Sequence, residues 1–250
     1  MEELSGSTAV VTGAASGIGL AIAERYAAEG MRVMLSDINA DALATQCERL
    51  TAAGHDVAGT VTDVRDQDAV EALAAATVER FGALHVAVNN AGIVNGGPAW
   101  ELSLEEWHRV VDTNLWGVIH GVRAFVPRIL ATGEPGHVVN VGSMASVHII
   151  PGLSPYTVAK HGVLGLTDVL AEDLAQRGAP VGASIVMPGM VLTGMNPIGT
   201  LPASAVAANV VDAMRRGRRY VFTDQESTAP VAERLRALMD ARDGVVVTES

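Results

Sequence analysis

The sequence predicts an α/β fold, a doubly wound parallel β-sheet flanked by helices on both faces, and three observations predict it. Short β-rich runs alternate with longer segments of helical period along most of the chain. Several of the β runs are apolar throughout instead of alternating, as strands are when helices cover both faces of a parallel sheet. A glycine-rich turn joins the first strand directly to the first helix. With 250 residues, 49% of them apolar, the chain is long enough to bury a continuous core, and it reads as one unit over 1–250 with a divergent region from 190 onward.

Taken in order, Thr8-Ala9-Val10-Val11 is the first strand, and Leu20 to Ala27 carries the period of the first helix, which Gly30 stops. Val33-Met34-Leu35 is the second strand. A helix over Ala40 to Ala52, a strand over Val57 to Val61, a helix over Asp68 to Phe81 and a strand over Leu84 to Val88 follow. One long helical pattern runs from Ser103 to Ala131, then a strand over His137 to Val141, a helix over Pro155 to Gln176 and a strand over Val181 to Val186. The last stretch differs in kind: a short loop after Pro188-Gly189, a helix over Ala203 to Arg215, an Arg-rich turn, a brief strand at Tyr220-Val221-Phe222 and a helix over Pro230 to Ala241.

Composition excludes several classes. A net charge of −11 disfavours binding to nucleic acid or to an anionic membrane, which need a basic surface. The single cysteine, Cys47, rules out an intrachain disulfide framework and reads as packing in a reducing compartment. The start, Met1-Glu2-Glu3-Leu4, lacks the basic flank and apolar run of a signal peptide, and no stretch approaches the roughly 20 apolar residues of a membrane span. The expectation is a cytoplasmic protein. The seven histidines show no paired metal-ligand spacing, so no metal is expected.

Thr12-Gly13-Ala14-Ala15-Ser16-Gly17-Ile18-Gly19 lies between the first strand and the first helix. Glycines permit positive φ and close backbone approach, and the helix N-terminus offers free N–H groups to a phosphate. No Gly-Lys-Ser/Thr ending follows, which disfavours a P-loop triphosphatase. Asp37 ends the second strand, where an acid accepts hydrogen bonds from an adenosine ribose and repels a 2′-phosphate. Its neighbour is Ile38 and the turn carries Ser16, so no basic residue offsets it, and the preference is for NAD over NADP. Asp37 on its own would also pass for a helix cap.

Tyr156 and Lys160 are four apart at the start of a helical pattern and share a face. A phenol with a pKa near 10 is a poor base at neutral pH, and a nearby ammonium favours its phenolate. Such a pair is common by chance, but this one has company. Ser143 ends the preceding strand, Asn89-Asn90-Ala91-Gly92 ends the fourth, and Asn114 interrupts an otherwise apolar helix. A polar side chain buried in mid-helix is costly unless hydrogen-bonded, which points to a polar site nearby.

This combination resembles the short-chain dehydrogenase/reductase family, in its compact single-domain, Rossmann-type branch, over roughly Thr8 to Thr193. It is carried by the glycine turn, Asp63-Val64, Asn89-Asn90-Ala91-Gly92, Asn114, Ser143, Tyr156-Thr157-Val158-Ala159-Lys160, and Pro188-Gly189 followed by Thr193. The resemblance implies that Tyr156 is the acid/base, that Lys160 binds the nicotinamide ribose and lowers the tyrosine pKa, and that Ser143 orients the substrate oxygen. It implies that Asn114 holds a water leading from Lys160 to solvent. Gly13, Ser16, Gly17, Ile18 and Gly19 would bind the pyrophosphate, Asp63 and Val64 flank the adenine, Asn90 the ribose, and Val191 and Thr193 the carboxamide. Gly142 departs from the many relatives with a second serine there. The short 190–203 segment and the Arg-rich turn replace the lid and the terminal strand of many relatives, which puts the usual tetramer in doubt; a homodimer or homotetramer is expected.

Met144, His148, Ile149, Met190 and Met195 are candidates to border an apolar substrate pocket, so a hydrophobic secondary alcohol or ketone is expected as substrate. Arg215, Arg216, Arg218 and Arg219 fit a solvated helix end better than a site for an anionic tail. The leading reading is an NAD-dependent oxidoreductase, with an NADH-dependent reductase or a non-catalytic dinucleotide-binding regulator as alternatives. A methyltransferase would leave Tyr156 and Lys160 unexplained.

Overall fold

A computed structural model describes residues 1–223 and 229–243. Seven strands form one parallel sheet: β1 (Thr8–Thr12), β2 (Arg32–Asp37), β3 (Val57–Val61), β4 (Val86–Asn89), β5 (Gly136–Val141), β6 (Val181–Met187) and, late in the chain, β9 (Tyr220–Phe222). Their order is β3-β2-β1-β4-β5-β6-β9, and every pairing is parallel. Strand order reverses direction between β1 and β4, which opens a crevice at the carboxyl ends of those two strands.

The period-2 geometry of the strands sends alternate side chains to opposite faces. Ala9 and Val11 of β1, Val86 and Val88 of β4 and Val139 and Val141 of β5 join one core cluster. On that face pack α1 (Gly17–Ala28), α2 (Ala40–Ala52) and α7 (Ala203–Arg216). Val10, Ala87 and Val138 point the other way, onto α3 (Gln67–Phe81), α5 (Gly117–Ala131) and α6 (Ser154–Gln176). The central strands are therefore apolar on both faces because both are covered, while the edge strands β3 and β9 carry exposed residues.

Local sequence sets the helix ends. Asn39 accepts from the Ala42 N–H at the start of α2, and Asp66 accepts from Asp68 and Ala69 at the start of α3. Gly82, at φ 85°, ends α3 in the left-handed conformation that favours glycine. Ser103 and Glu106 form a capping box on α4 (Leu104–Val111). The predicted helix from Ser103 to Ala131 is continuous but contains a π turn at Asp112–Trp116, between α4 and α5.

Two short strands absent from the sequence reading, β7 (Val191–Leu192) and β8 (Leu201–Pro202), pair with each other and close the 190–202 segment into a small arch. The last helix, α8 (Ala229–Asp243), extends the predicted 230–241 by a residue or two at each end. All four arginines of the Arg-rich turn are ion-paired: Arg215 with Glu29 (2.6 Å), Arg216 with Asp212 (2.7 Å), Arg218 with Asp212 and Arg219 with Glu172 (2.7 Å). Among the described residues no helix is long and apolar enough to cross a membrane.

Candidate active site

The glycine turn sits at the mouth of the crevice. Gly13 and Gly17 have φ of +65° and +55°, so each needs the left-handed freedom of glycine. A Cβ on Gly13 would meet Asn90 Nδ2 at 2.8 Å, and one on Gly19 would run into the Gly13 carbonyl. The turn is bound tightly from the β4 side. Asn90 Nδ2 donates to the carbonyls of Thr12 (2.8 Å) and Gly13 (3.2 Å), and Thr12 Oγ1 accepts from the backbone N–H groups of Asn90 and Ala91. Ser16 is the N-cap of α1 and makes no side-chain cap, which leaves the first-turn N–H groups of Gly17, Ile18 and Gly19 directed at the crevice. The cradle suits a phosphate-bearing group.

Asp37 is half-buried at the end of β2 and braces this turn. Its Oδ2 accepts from the Ala15 N–H at 3.0 Å and its Oδ1 from the Asn39 N–H at 3.0 Å. Beside it, just past the end of β3, Asp63 is gripped by Arg65, whose guanidinium and backbone N–H both bond the carboxylate. The side-chain bond from Arg65 holds the Asp63 carboxyl below its ordinary range. Val64 is buried against Gly117, and its carbonyl accepts from His120 Nδ1 at 3.0 Å.

The second group of residues gathers at the end of β5. Ser143 caps a 3₁₀ turn, Met144–Ser146, its Oγ accepting from the Ala145 N–H at 3.1 Å. Tyr156 and Lys160 stand on the first turns of α6, where Pro155 supplies the fixed φ that starts a helix. The Tyr156 side chain faces the Ser143 hydroxyl closely enough to feel it. Lys160 is buried, donates to the Val141 carbonyl at 2.8 Å, and sets its Nζ 5.6 Å from the Tyr156 ring centroid. Burial lowers the Lys160 pKa to about 8. Burial raises the Tyr156 pKa from its ordinary value, and the neighbouring Ser143 hydroxyl opposes that rise. The chain by itself therefore holds a neutral phenol beside a weakened ammonium.

Gly142 has a local reason. A Cβ there would meet Ser146 Oγ at 2.7 Å and Ile185 Cδ1 at 2.9 Å, and Ser146 Oγ accepts from the Ser143 N–H. Ser146 fills the space that a serine at 142 would need.

Asn114 lies fully buried in the π turn, a feature that recurs at functional sites. Its Nδ2 donates to the carbonyls of Ile93 and Val110, both at 2.9 Å, and its Oδ1 accepts from the Ile93 N–H at 3.3 Å. Leu115 of the same turn packs on Gly162 of α6, so the π turn faces the helix that bears Lys160. Both amide protons of Asn114 are spent on the backbone. Its Oδ1 keeps a second lone pair that a water could donate to.

The apolar candidates divide. Met144 is buried in a core cluster with Val118, Val163, Ile185 and Met187, and so packs where the sequence reading put a pocket wall. Ile149, Met190, Met195 and Leu192 are half exposed and Ile198 mostly exposed, which makes a hydrophobic rim. Val191 is buried, and Thr193 reaches to 3.3 Å from where a Gly17 Cβ would lie, so the arch closes onto the glycine turn. His148 and Ile149 share a groove with Glu233, Arg234 and Ala237 of α8. Thr223, whose Oγ1 accepts from the Gly189 N–H at 3.1 Å, fixes the Pro188-Gly189 corner and was not singled out by the sequence. Nothing in its local pattern marks it, because the contact spans 34 residues.

Comparison with known proteins agrees with this geometry. The family model for short chain dehydrogenase matches residues 7–199. The 1-deoxy-11-beta-hydroxypentalenate dehydrogenase of Streptomyces avermitilis is 42% identical over 236 residues, 90% of this chain and 87% of that one. The crystal structure of a short chain dehydrogenase/reductase from Burkholderia phymatum in complex with NAD is 35% identical, covers both chains completely and superposes with a TM-score of 0.94. A variant actinorhodin polyketide ketoreductase solved with NADPH is 34% identical, with a TM-score of 0.82 over 89% of this chain and 97% of that one. The chain belongs to the short chain dehydrogenase family, oxidoreductases that bind a nicotinamide dinucleotide and act on hydroxyl or keto groups.

Proposed function

We propose that the protein is an NAD-dependent oxidoreductase that interconverts a hydrophobic secondary alcohol and its ketone, with Tyr156 as general acid/base. The observation that carries this reading is the convergence of Ser143, Tyr156 and Lys160 at the end of β5, beside the crevice.

The residues fit the cofactor. Gly13, Gly17 and Gly19 form a cradle that side chains would fill, and the first turn of α1 offers N–H groups to a pyrophosphate. Asp37 would take the adenosine ribose, and the choice of NAD over NADP rests on its carboxylate. Asp63 and Val64 would flank the adenine, Asn90 and Lys160 the nicotinamide side, and Val191 and Thr193 the carboxamide. When bound, the nicotinamide supplies the hydride acceptor or donor.

Tyr156 takes the proton of the substrate hydroxyl at its Oη during oxidation and returns it during reduction. Ser143 Oγ already accepts from the Ala145 N–H, so its own proton is the one left to bond the substrate oxygen or the tyrosine. Lys160 spends one ammonium proton on the Val141 carbonyl and keeps two others. Below its pKa of about 8 it is charged, and that charge favours the phenolate once the site's other positive charge is present. Asn114 fastens the π turn open toward α6, so that main-chain carbonyls there can hold a proton-carrying water. The hydrophobic rim of Ile149, Met190, Leu192 and Met195 supports an apolar substrate.

Tyr156→Phe tests the assignment. NADH affinity, read by nicotinamide fluorescence, is expected to stay within about twofold, while turnover falls at least about a hundredfold. Retained turnover would remove Tyr156 as the general base.

A further inference from the structure

One arginine on the last helix ties together the two segments that carry the reactive side chains. Arg234 Nη1 donates to the Val147 carbonyl at 3.1 Å and to His161 Nε2 at 2.5 Å. Val147 is the C-cap of the 3₁₀ turn that Ser143 begins. His161 follows Lys160 on α6, and its Nδ1 bonds the Thr157 carbonyl at 2.9 Å, next to Tyr156. A carbonyl only accepts, so Nδ1 carries the proton and Nε2 presents the lone pair that Arg234 needs. The chain of contacts thus runs from the Ser143 turn through one guanidinium to the backbone beside Tyr156. Val231, one turn earlier on α8, packs against the cluster containing Met144 and Val163, which seats the arginine.

We infer that Arg234 is a positioning residue: with His161 it fixes the 3₁₀ turn bearing Ser143 against the first turns of α6 bearing Tyr156 and Lys160. Resting on the proposed alcohol–ketone chemistry, this gives the divergent C-terminal region a part in the reaction through the Ser143 turn and the first turns of α6. A planar fork suits the task because one donor group reaches two acceptors on different segments.

The test uses Arg234→Met, which keeps the stem and removes the donors, and Arg234→Lys, which keeps a donor. With cyclohexanol and NAD as probes, Arg234→Met is expected to lower kcat about tenfold, with the KM for NAD unchanged, and Arg234→Lys to recover most of the loss. The second readout needs no turnover. The ¹³Cζ resonance of Tyr156, identified by its loss in Tyr156→Phe, is expected to shift and to titrate at higher pH in Arg234→Met, because the Ser143 hydroxyl is no longer held beside the phenol. If the wild type oxidises no alcohol, the proposed function falls and the tyrosine resonance still decides the positioning role. Should Arg234→Met fail to fold, His161→Phe removes the acceptor from the other end and is read in the same way. An unmoved Tyr156 resonance overturns the inference. So does a kcat loss that tracks a lowered melting temperature and is equal in the methionine and lysine variants.

Discussion

Asp37 braces the glycine turn through the Ala15 N–H, and the proposed function gives the same carboxylate a second task, the adenosine ribose. Two variants separate these. Asp37→Asn keeps an acceptor for Ala15 but loses the charge; it is expected to narrow the NADH-over-NADPH preference with little loss in NADH affinity. Asp37→Ala is expected to narrow the preference and also to weaken NADH binding about tenfold, since the turn loses its brace. Fluorescence titration of both cofactors checks this, and an unchanged ratio in both variants would remove Asp37 as the discriminator. At this scale the sequence was most legible where function imposes short spacing. Tyr156 and Lys160, four apart on one helix, and the glycines, packed within seven positions, stand out locally. Arg234, His161 and Thr223 do not, because their partners lie 87, 73 and 34 residues away along the chain. Met144, buried in a core cluster, shows that an apolar residue after a reactive serine reads alike as pocket wall or core.

The helix over 103–131 is where element and site meet. Apolar period predicted it as one helix and Asn114 marked its polar interruption, but no propensity reveals that the interruption is a π turn. That follows from the three backbone bonds Asn114 makes to Ile93 and Val110. One turn later, Gly121 packs directly on the Asn89 side chain, which belongs to a buried chain: Asn89 Nδ2 donates to Asn140 Oδ1 at 2.8 Å, and Asn140 Nδ2 to Thr167 Oγ1 at 3.0 Å. The glycine lets α5 lie close on β4. Gly121→Ala is expected to cost about 1–3 kcal/mol in urea unfolding, because neither backbone nor buried amide can yield freely. Wild-type stability in that variant would mean that α5 shifts without resistance. The arch of β7 and β8 was illegible for a different reason. Two-residue strands carry no period, and their pairing depends on a closure in which Thr200 and Leu201 bond the Met190 carbonyl and Thr193 and Asn196 bond each other.

For the whole molecule, alternation of strand and helix together with strands apolar on both faces sufficed to predict the parallel sheet, and the strand order adds the crevice where β1 and β4 part. Stability should also carry a signature of buried titratable groups. His137 is buried in β5, its Nε2 2.7 Å from Ser184 Oγ, which donates to the Arg218 carbonyl at 2.6 Å. Burial lowers its pKa from 6.5 to about 4. The unfolded chain binds this proton first, so stability is whole above pH 6.5 and falls as pH drops toward 4. The loss attributable to His137 is about 3 kcal/mol over that window, measured by denaturant unfolding at several pH values and compared with His137→Gln, in which this component is expected to vanish. An equally steep acid loss in the variant would assign it to carboxylates instead.

The measurement that bears most directly on the central claim is NADH formation, followed by absorbance with NAD and a panel of bulky secondary alcohols, on a protein already seen to bind NADH. Turnover of an apolar alcohol by the wild type and its loss in Tyr156→Phe are the expected result. Tight NADH binding with no turnover across the panel, in either direction, would contradict it and leave the crevice a site that binds the dinucleotide without using it.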